Sequence, residues 1–301
     1  MGSNKKGYIR MDNVKKKTVK HIPVFYACDS KYAPIAAVSM ASLLFNTNSF
    51  IEFYILDCDM GEKNRRKMEM LKEKFSNFSI EFIKVDSNGK FGYIELRNYL
   101  TTACFARLLI PDLKPDMGKI VYLDCDTIVM GDIADMYAQE LNGYAIGAVP
   151  DPNVFDDPLK KHNQYKAALL SDRHLYFNSG VMLMDCDVWR KNDMLPKLIA
   201  AERMTAATRY FNDQDVLNKA FDCNYQTLDV RFNVKSNLIT HCPQENIVVR
   251  HYTGHMKPWL KVGFLQINAH DFWFYCQMTP FFAEMLVNGL TELAPIHELK
   301  L

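Results

Sequence analysis

The sequence predicts an α/β protein built on a mainly parallel, doubly wound sheet, and three successive crossovers point to it. Residues 22–28 read as a strand, 34–45 as a helix and 51–56 as a strand, which together make a βαβ unit. Residues 62–75 then read as an amphipathic helix and 80–85 as an alternating strand, completing a second crossover. A third runs from a helix over 102–110 to the short apolar strand 120–123.

Each element has a local reason. PIAAVSMASLLF opens with Pro34, whose fixed φ suits a first helical turn, and its nearly continuous apolar character marks a buried helix. In 62–75, Met68, Leu71 and Phe75 form one stripe among Lys, Arg and Glu. Pro111 is expected to stop the helix over 102–110. The second half is less regular: a strand over 176–184, a helix over 194–207, a last strand over 247–250, and a proline-flanked loop over 151–157 of the kind that covers substrates. No Gly/Ser/Pro linker or repeat divides the chain. The expectation is a basic tail over 1–20 followed by one domain over 21–301 with an elaborated C-terminal half.

Composition narrows the function. The 301 residues are 49% hydrophobic and 24% charged, with a formal charge of +1, so disorder and low complexity are out. A near-neutral chain has no general attraction to a polyanion, which argues against nucleic acid. No apolar run reaches the roughly 18–20 residues of a membrane span, and the basic Lys15 to Lys17 run supports at most peripheral membrane contact. Eight cysteines without a C-x-x-C pair fit reduced, mostly buried thiols in a cytoplasmic protein.

In open α/β sheets ligands bind beyond the carboxyl ends of the strands. In VYLDCDTIV, Asp124 and Asp126 flank Cys125 at such an end, and strand alternation would aim both carboxylates to one side and the thiol into the core. Adjacent anions repel unless a cation lies between them, and oxygen donors favour Mg²⁺ or Mn²⁺. Downstream, His251-Tyr252-Thr253-Gly254-His255-Met256-Lys257 suits the phosphate end of a site: a neutral His completes a metal shell, Gly254 admits close backbone approach, and Lys257 can meet phosphate. On spacing alone, both histidines read as solvated or core residues before they read as ligands, and Asp213 could be a helix N-cap. Neither G-x-G-x-x-G nor G-x-x-x-x-G-K-[ST] is present.

Taken in order, FYACDSKY, TTACFARL, YLDCD, FNSGVMLM, NDQDVLN and HYTGHMKPW resemble glycosyltransferase family 8, over about residues 24–285. The resemblance implies the GT-A nucleotide-sugar-binding fold and transfer of a hexose from UDP-glucose or UDP-galactose, with retention. It implies Mn²⁺, with Mg²⁺ as the alternative, and a glycan, lipid-linked glycan or protein acceptor. By position it makes Asp124, Asp126 and His251 the metal ligands. It puts nucleotide-sugar contacts at Ala27, Asp29, Tyr32, Arg107, Asp124, Cys125, Asp126, Gly254 and Lys257, and surrounds the reacting sugar with Arg107, Asn178, Asp213 and Gln214. The chain has Lys31 where the family commonly has Asn. Two rivals remain: a sugar-nucleotide hydrolase or nucleotidyltransferase, since paired carboxylates with a cation also serve phosphoryl chemistry, and a UDP-sugar-binding protein without turnover.

Overall fold

The protein is described from a computed structural model, which covers residues 21–85, 103–151, 170–207, 211–236, 242–260 and 268–293. The expected basic tail, Thr102 and residues 152–157 of the expected loop lie outside the described residues.

Strand β1 (His21–Cys28) pairs in parallel with β2 (Phe50–Asp57), which pairs in parallel with β3 (Phe78–Lys84). Helix α1 (Ala33–Asn46) makes the first crossover and α2 (Glu62–Glu69), extended by a 3-10 turn over Met70–Glu73, the second. Helix α1 is buried almost all round, which is why its sequence shows no polar face. Its two serines are satisfied internally: Ser39 Oγ lies 2.9 Å from both Tyr26 OH and Thr127 Oγ1, and Ser42 Oγ accepts the Val129 N–H at 2.9 Å.

The expected helix over 102–110 is corrected. The chain forms α3 (Ala103–Ala106), a 3-10 turn over Arg107–Leu109, and α4 (Ile110–Leu113). Pro111 sits in the first turn of α4, where its missing N–H leaves no bond unmade, so it starts a helix instead of ending one. Strands β4 (Lys119–Leu123) and β5 (Thr127–Val129) follow, then α5 (Ala134–Tyr137), β6 (Ile146–Pro150) and β7 (Phe177–Asp185). Helices α6 (Cys186–Lys191), α7 (Met194–Thr205) and α8 (Asp213–Phe221) lead to β8 (Gln226–Thr227) and β9 (Val234–Lys235). Strand β10 (Val249–His251), shorter than expected and shifted towards His251, precedes α9 (Ala269–Cys276) and α10 (Phe282–Leu293).

The larger sheet has seven strands in the order β3-β2-β1-β4-β7-β6-β8, antiparallel only at β4–β7 and β7–β6. The smaller sheet has the order β5-β10-β9. Central strands are apolar on both faces because both are covered. Val24, Tyr26, Val121 and Leu123 enter one core, and Phe25, Ile120, Tyr122 and Met182 the other. Truncating a fully buried residue such as Leu123 to Ala would cost about 2–5 kcal/mol. Among the described residues no helix is long and apolar enough to cross a membrane.

Candidate active site

Strand β4 ends at Leu123, and the next three residues turn the chain from the large sheet into the small one. The Asp124 N–H donates to Gly180 O at 2.7 Å, the Thr127 hydroxyl donates to Asp124 O at 2.8 Å, and the Tyr252 N–H donates to Asp126 O at 2.9 Å. This turn, not strand alternation, brings the two carboxylates together. Cys125 does point into the core as expected, where its thiol lies 3.3 Å from Ala27 O. Antiparallel pairing of β5 with β10 sets His251 opposite Thr127, and so beside the turn.

Each carboxylate is held from outside through one oxygen. Asp124 Oδ1 forms an ion pair with Arg107 Nη2 at 2.8 Å and accepts from Tyr122 OH at 3.0 Å, while Asp126 Oδ2 accepts from Lys257 Nζ at 2.5 Å. The remaining oxygens face the imidazole: His251 Nε2 lies 3.2 Å from Asp126 Oδ1 and 3.9 Å from Asp124 Oδ2. Asp124, Asp126 and His251 offer ligand atoms within 4.8 Å of one another, the one such group among the described residues. Two carboxylate oxygens and one imidazole nitrogen form a donor set that could hold a divalent cation. Burial disfavours the Asp126 anion, but the Lys257 charge and the close approach of His251 outweigh burial and hold its carboxyl well below the usual range.

Arg107 stands in the 3-10 turn before α4 and serves several partners. It forms ion pairs with Asp124 and, through Nε, with Asp213 Oδ2 at 3.1 Å; it donates from Nε to Cys104 O and from Nη1 to Ser179 O, each at 2.9 Å, with its guanidinium 4.5 Å above the Tyr122 ring. Burial would favour loss of its proton, but Asp124 and Asp213 keep it charged. Asp213 is pushed up to about 6: burial raises it, Arg107 only partly offsets that, and the Asp124 anion adds to the rise. The N-cap reading of Asp213 is corrected as well. Helix α8 begins at Asp213 itself, Asn212 holds the cap position, and the Asp213 carboxylate is spent on Arg107.

Asn178 and Gln214 meet through Asn178 Nδ2 and Gln214 Oε1 at 3.0 Å. Ala27 lies at the end of β1, the parallel neighbour of β4, and Asp29 and Tyr32 in the turn that follows it. Asp29 Oδ1 accepts the N–H groups of Lys31 and Tyr32, each at 3.0 Å, and so shapes the turn into α1. Gly254, with φ of 78°, supplies the left-handed turn between His251 and Lys257. Asn233, Tyr122 and Ser179 also belong to the site and escaped the sequence reading. Asn233 Oδ1 lies 3.0 Å from His251 Nδ1, yet RFNVK carries no motif that would announce it.

The family model described as Glycosyl transferase family 8 matches residues 23–263. This chain belongs to that family. It is 27% identical to General stress protein A of Bacillus subtilis over 82% of this chain and 89% of the relative. It is 26% identical to the lipopolysaccharide 1,2-glucosyltransferase of Escherichia coli, over 84% and 76%. Among solved structures, the galactosyltransferase LgtC in complex with donor and acceptor sugar analogues superposes with a TM-score of 0.74 at 24% identity, covering 86% of this chain and 96% of that one. An active-site mutant of LgtC gives 0.76 at 23% identity, covering 89% and 100%. The fold is therefore of the GT-A type, and the family 8 chain is an enzyme that transfers sugar.

Proposed function

We propose that this family 8 glycosyltransferase moves glucose or galactose from a UDP-sugar to a hydroxyl of a glycan, lipid-linked glycan or protein, with retention and in dependence on Mn²⁺. The observation that carries the reading is the division of labour on the two carboxylates: Arg107 and Lys257 each hold one oxygen, and the other two converge on His251 Nε2. Asp124, Asp126 and His251 would hold the cation. A bound divalent cation supplies Lewis-acid stabilisation of the charge developing on departing UDP. Lys257 and the Gly254 turn would meet the diphosphate. Asp29 and Tyr32 would take the uracil, by hydrogen bonding and stacking, and Arg107, Asn178 and Asp213 would border the donor sugar. The glucosyltransferase activity named for the Escherichia coli relative supports a hexose donor and a lipid-linked glycan among the acceptors. Eight unpaired cysteines support a cytoplasmic setting.

A double displacement needs a nucleophile, and Gln214 is poorly placed to act as one: its Oε1 already accepts from Asn178 Nδ2 and from the Ser179 N–H at 3.1 Å. Front-face attack, with a donor phosphate oxygen taking the acceptor proton, fits that arrangement better. The test is product analysis with UDP-glucose, UDP-galactose, Mn²⁺ and a panel of acceptors. UDP and an α-linked product are expected. Release of UMP and a sugar 1-phosphate would point to P–O cleavage, and a β-anomeric coupling by proton NMR would overturn retention.

A further inference from the structure

We propose that Asn233 is a positioning residue that fixes His251 as its Nδ1–H tautomer, and that the backbone of Ser179 and Gly180 imposes this choice through the amides of Gln214 and Asn178. A backbone N–H can only donate. The Gly180 N–H meets the Asn178 amide at 3.0 Å and the Ser179 N–H meets the Gln214 amide at 3.1 Å, so the atoms facing them are Asn178 Oδ1 and Gln214 Oε1. Asn178 Nδ2 then donates to Gln214 Oε1, and Gln214 Nε2 donates to Tyr176 OH at 3.1 Å, whose proton goes to Asp215 Oδ1 at 2.6 Å.

The other direction is equally constrained. Asn178 Oδ1 accepts only, so Asn233 presents Nδ2 to it at 2.9 Å and turns Oδ1 to His251 Nδ1 at 3.0 Å. A carbonyl oxygen cannot donate, so Nδ1 carries the ring proton and the lone pair of the neutral ring falls on Nε2. That nitrogen is the one facing Asp126 Oδ1. An Nε2–H ring would meet the Asp126 carboxylate but set two acceptors against each other at Nδ1, whereas a proton on Nδ1 and a cation at Nε2 satisfy both sides of the ring. Asn178, Asn233, Gln214 and His251 are all buried, so water does not readily replace the missing bond.

The inference rests on the cation site proposed above, because a cation takes the Nε2 lone pair that otherwise faces Asp126 Oδ1. The first test is a long-range ¹H–¹⁵N spectrum of the wild-type chain saturated with Mg²⁺, with His251 assigned among the eight histidines by its loss in His251→Ala. An Nδ1–H pattern is expected, and an Nε2–H pattern overturns the inference without any variant having to fold. The second is calorimetric titration with Mn²⁺ alone. Asn233→Ala should lower affinity by about 10–100-fold and mix the two tautomers, while Asn233→Asp, which keeps an acceptor at Nδ1 but sets its other oxygen against Asn178 Oδ1, should keep the Nδ1–H tautomer without restoring full affinity. Asn233→Ala binding Mn²⁺ as tightly as wild type overturns the inference. If His251→Ala also binds as tightly, the cation reading itself has failed; if His251→Ala is weak, only the role of Asn233 has.

Discussion

Gly180 lies so close beneath His251 that a Cβ on it would come within 2.3 Å of the ring's Cε1. The same Cβ would stand 2.5 Å from Asp124 Oδ2, so two of the three converging side chains press on this one position. Gly180→Ala must displace a buried imidazole or a carboxylate, an overpacking cost of about 1–3 kcal/mol. The expected outcome is loss of Mn²⁺ binding and transfer activity in a chain that still melts cooperatively. Gly289→Ala is the control: its Cβ meets only Trp273, at 3.9 Å, and a helical Ala in place of Gly should raise the melting temperature without touching activity. Calorimetry and thermal melts on both variants check this, and full Mn²⁺ affinity in Gly180→Ala would show that the ring and carboxylate are free to move.

Removing one converging ligand should cost more than disturbing its support. Asp126 holds Lys257 through one oxygen and faces His251 through the other, so Asp126→Ala also leaves the buried Lys257 ammonium short of its counter-charge. UDP affinity is expected to fall by more than about 100-fold in this variant, beyond the range typical of outer-shell changes. Chelation of the wild type should produce a comparable fall, with Mn²⁺ restoring binding better than Mg²⁺. Equal UDP affinity with and without chelator would end the metal-dependent reading.

Asp213 carries a pH signature. Its pKa is raised from 3.8 to about 6, so between those values the folded protein binds a proton that the unfolded chain has released. Stability attributable to this group is therefore present below pH 3.8 and lost as pH rises through about 6. The loss amounts to at most about 3 kcal/mol. Thermal melts of the metal-free protein should show a decline from pH 4 towards pH 7 that is flattened in Asp213→Asn. The same variant should lower kcat while leaving UDP affinity nearly intact, as expected when an interaction matters mainly in the transition state. An unchanged pH profile would mean that Arg107 alone governs the Asp213 carboxylate.

The sequence made these residues legible to different degrees. Strands β1, β2 and β3 with α1 were readable because their burial patterns are local, repeating within a few residues. The break around Arg107 was not, because a proline in a helical pattern marks a stop or a start depending on which side of it the chain continues as helix. Asp124, Asp126 and His251 were found through motif order. Asn233 lies 55 residues from Asn178 and 18 from His251, and its partners are fixed by strand pairing that no local pattern encodes. Tyr122 has the same difficulty: in IVYL it reads as one more core residue, and only the fold puts its hydroxyl on Asp124.

Asp29 permits a separation of structural from recognition roles. Its Oδ1 is engaged by the N–H groups of Lys31 and Tyr32, leaving Oδ2 as the oxygen not used by that turn. Asp29→Asn can keep the turn through its carbonyl while replacing the second oxygen with an NH₂ donor, which would repel the N–H of a uracil ring. Asp29→Ala loses both functions. The expected pattern is a near-wild-type melting temperature for Asp29→Asn, a lower one by about 0.5–2 kcal/mol of stability for Asp29→Ala, and weakened UDP binding in both. A site built to hydrogen-bond a base penalises ligands that leave the partner unpaired, so the wild type should prefer UDP to ADP and GDP, and Asp29→Asn should narrow that preference. Competition assays against the UDP-sugar measure the ratio directly. Equal displacement by all three nucleotides in the wild type would remove Asp29 and Tyr32 from the base site.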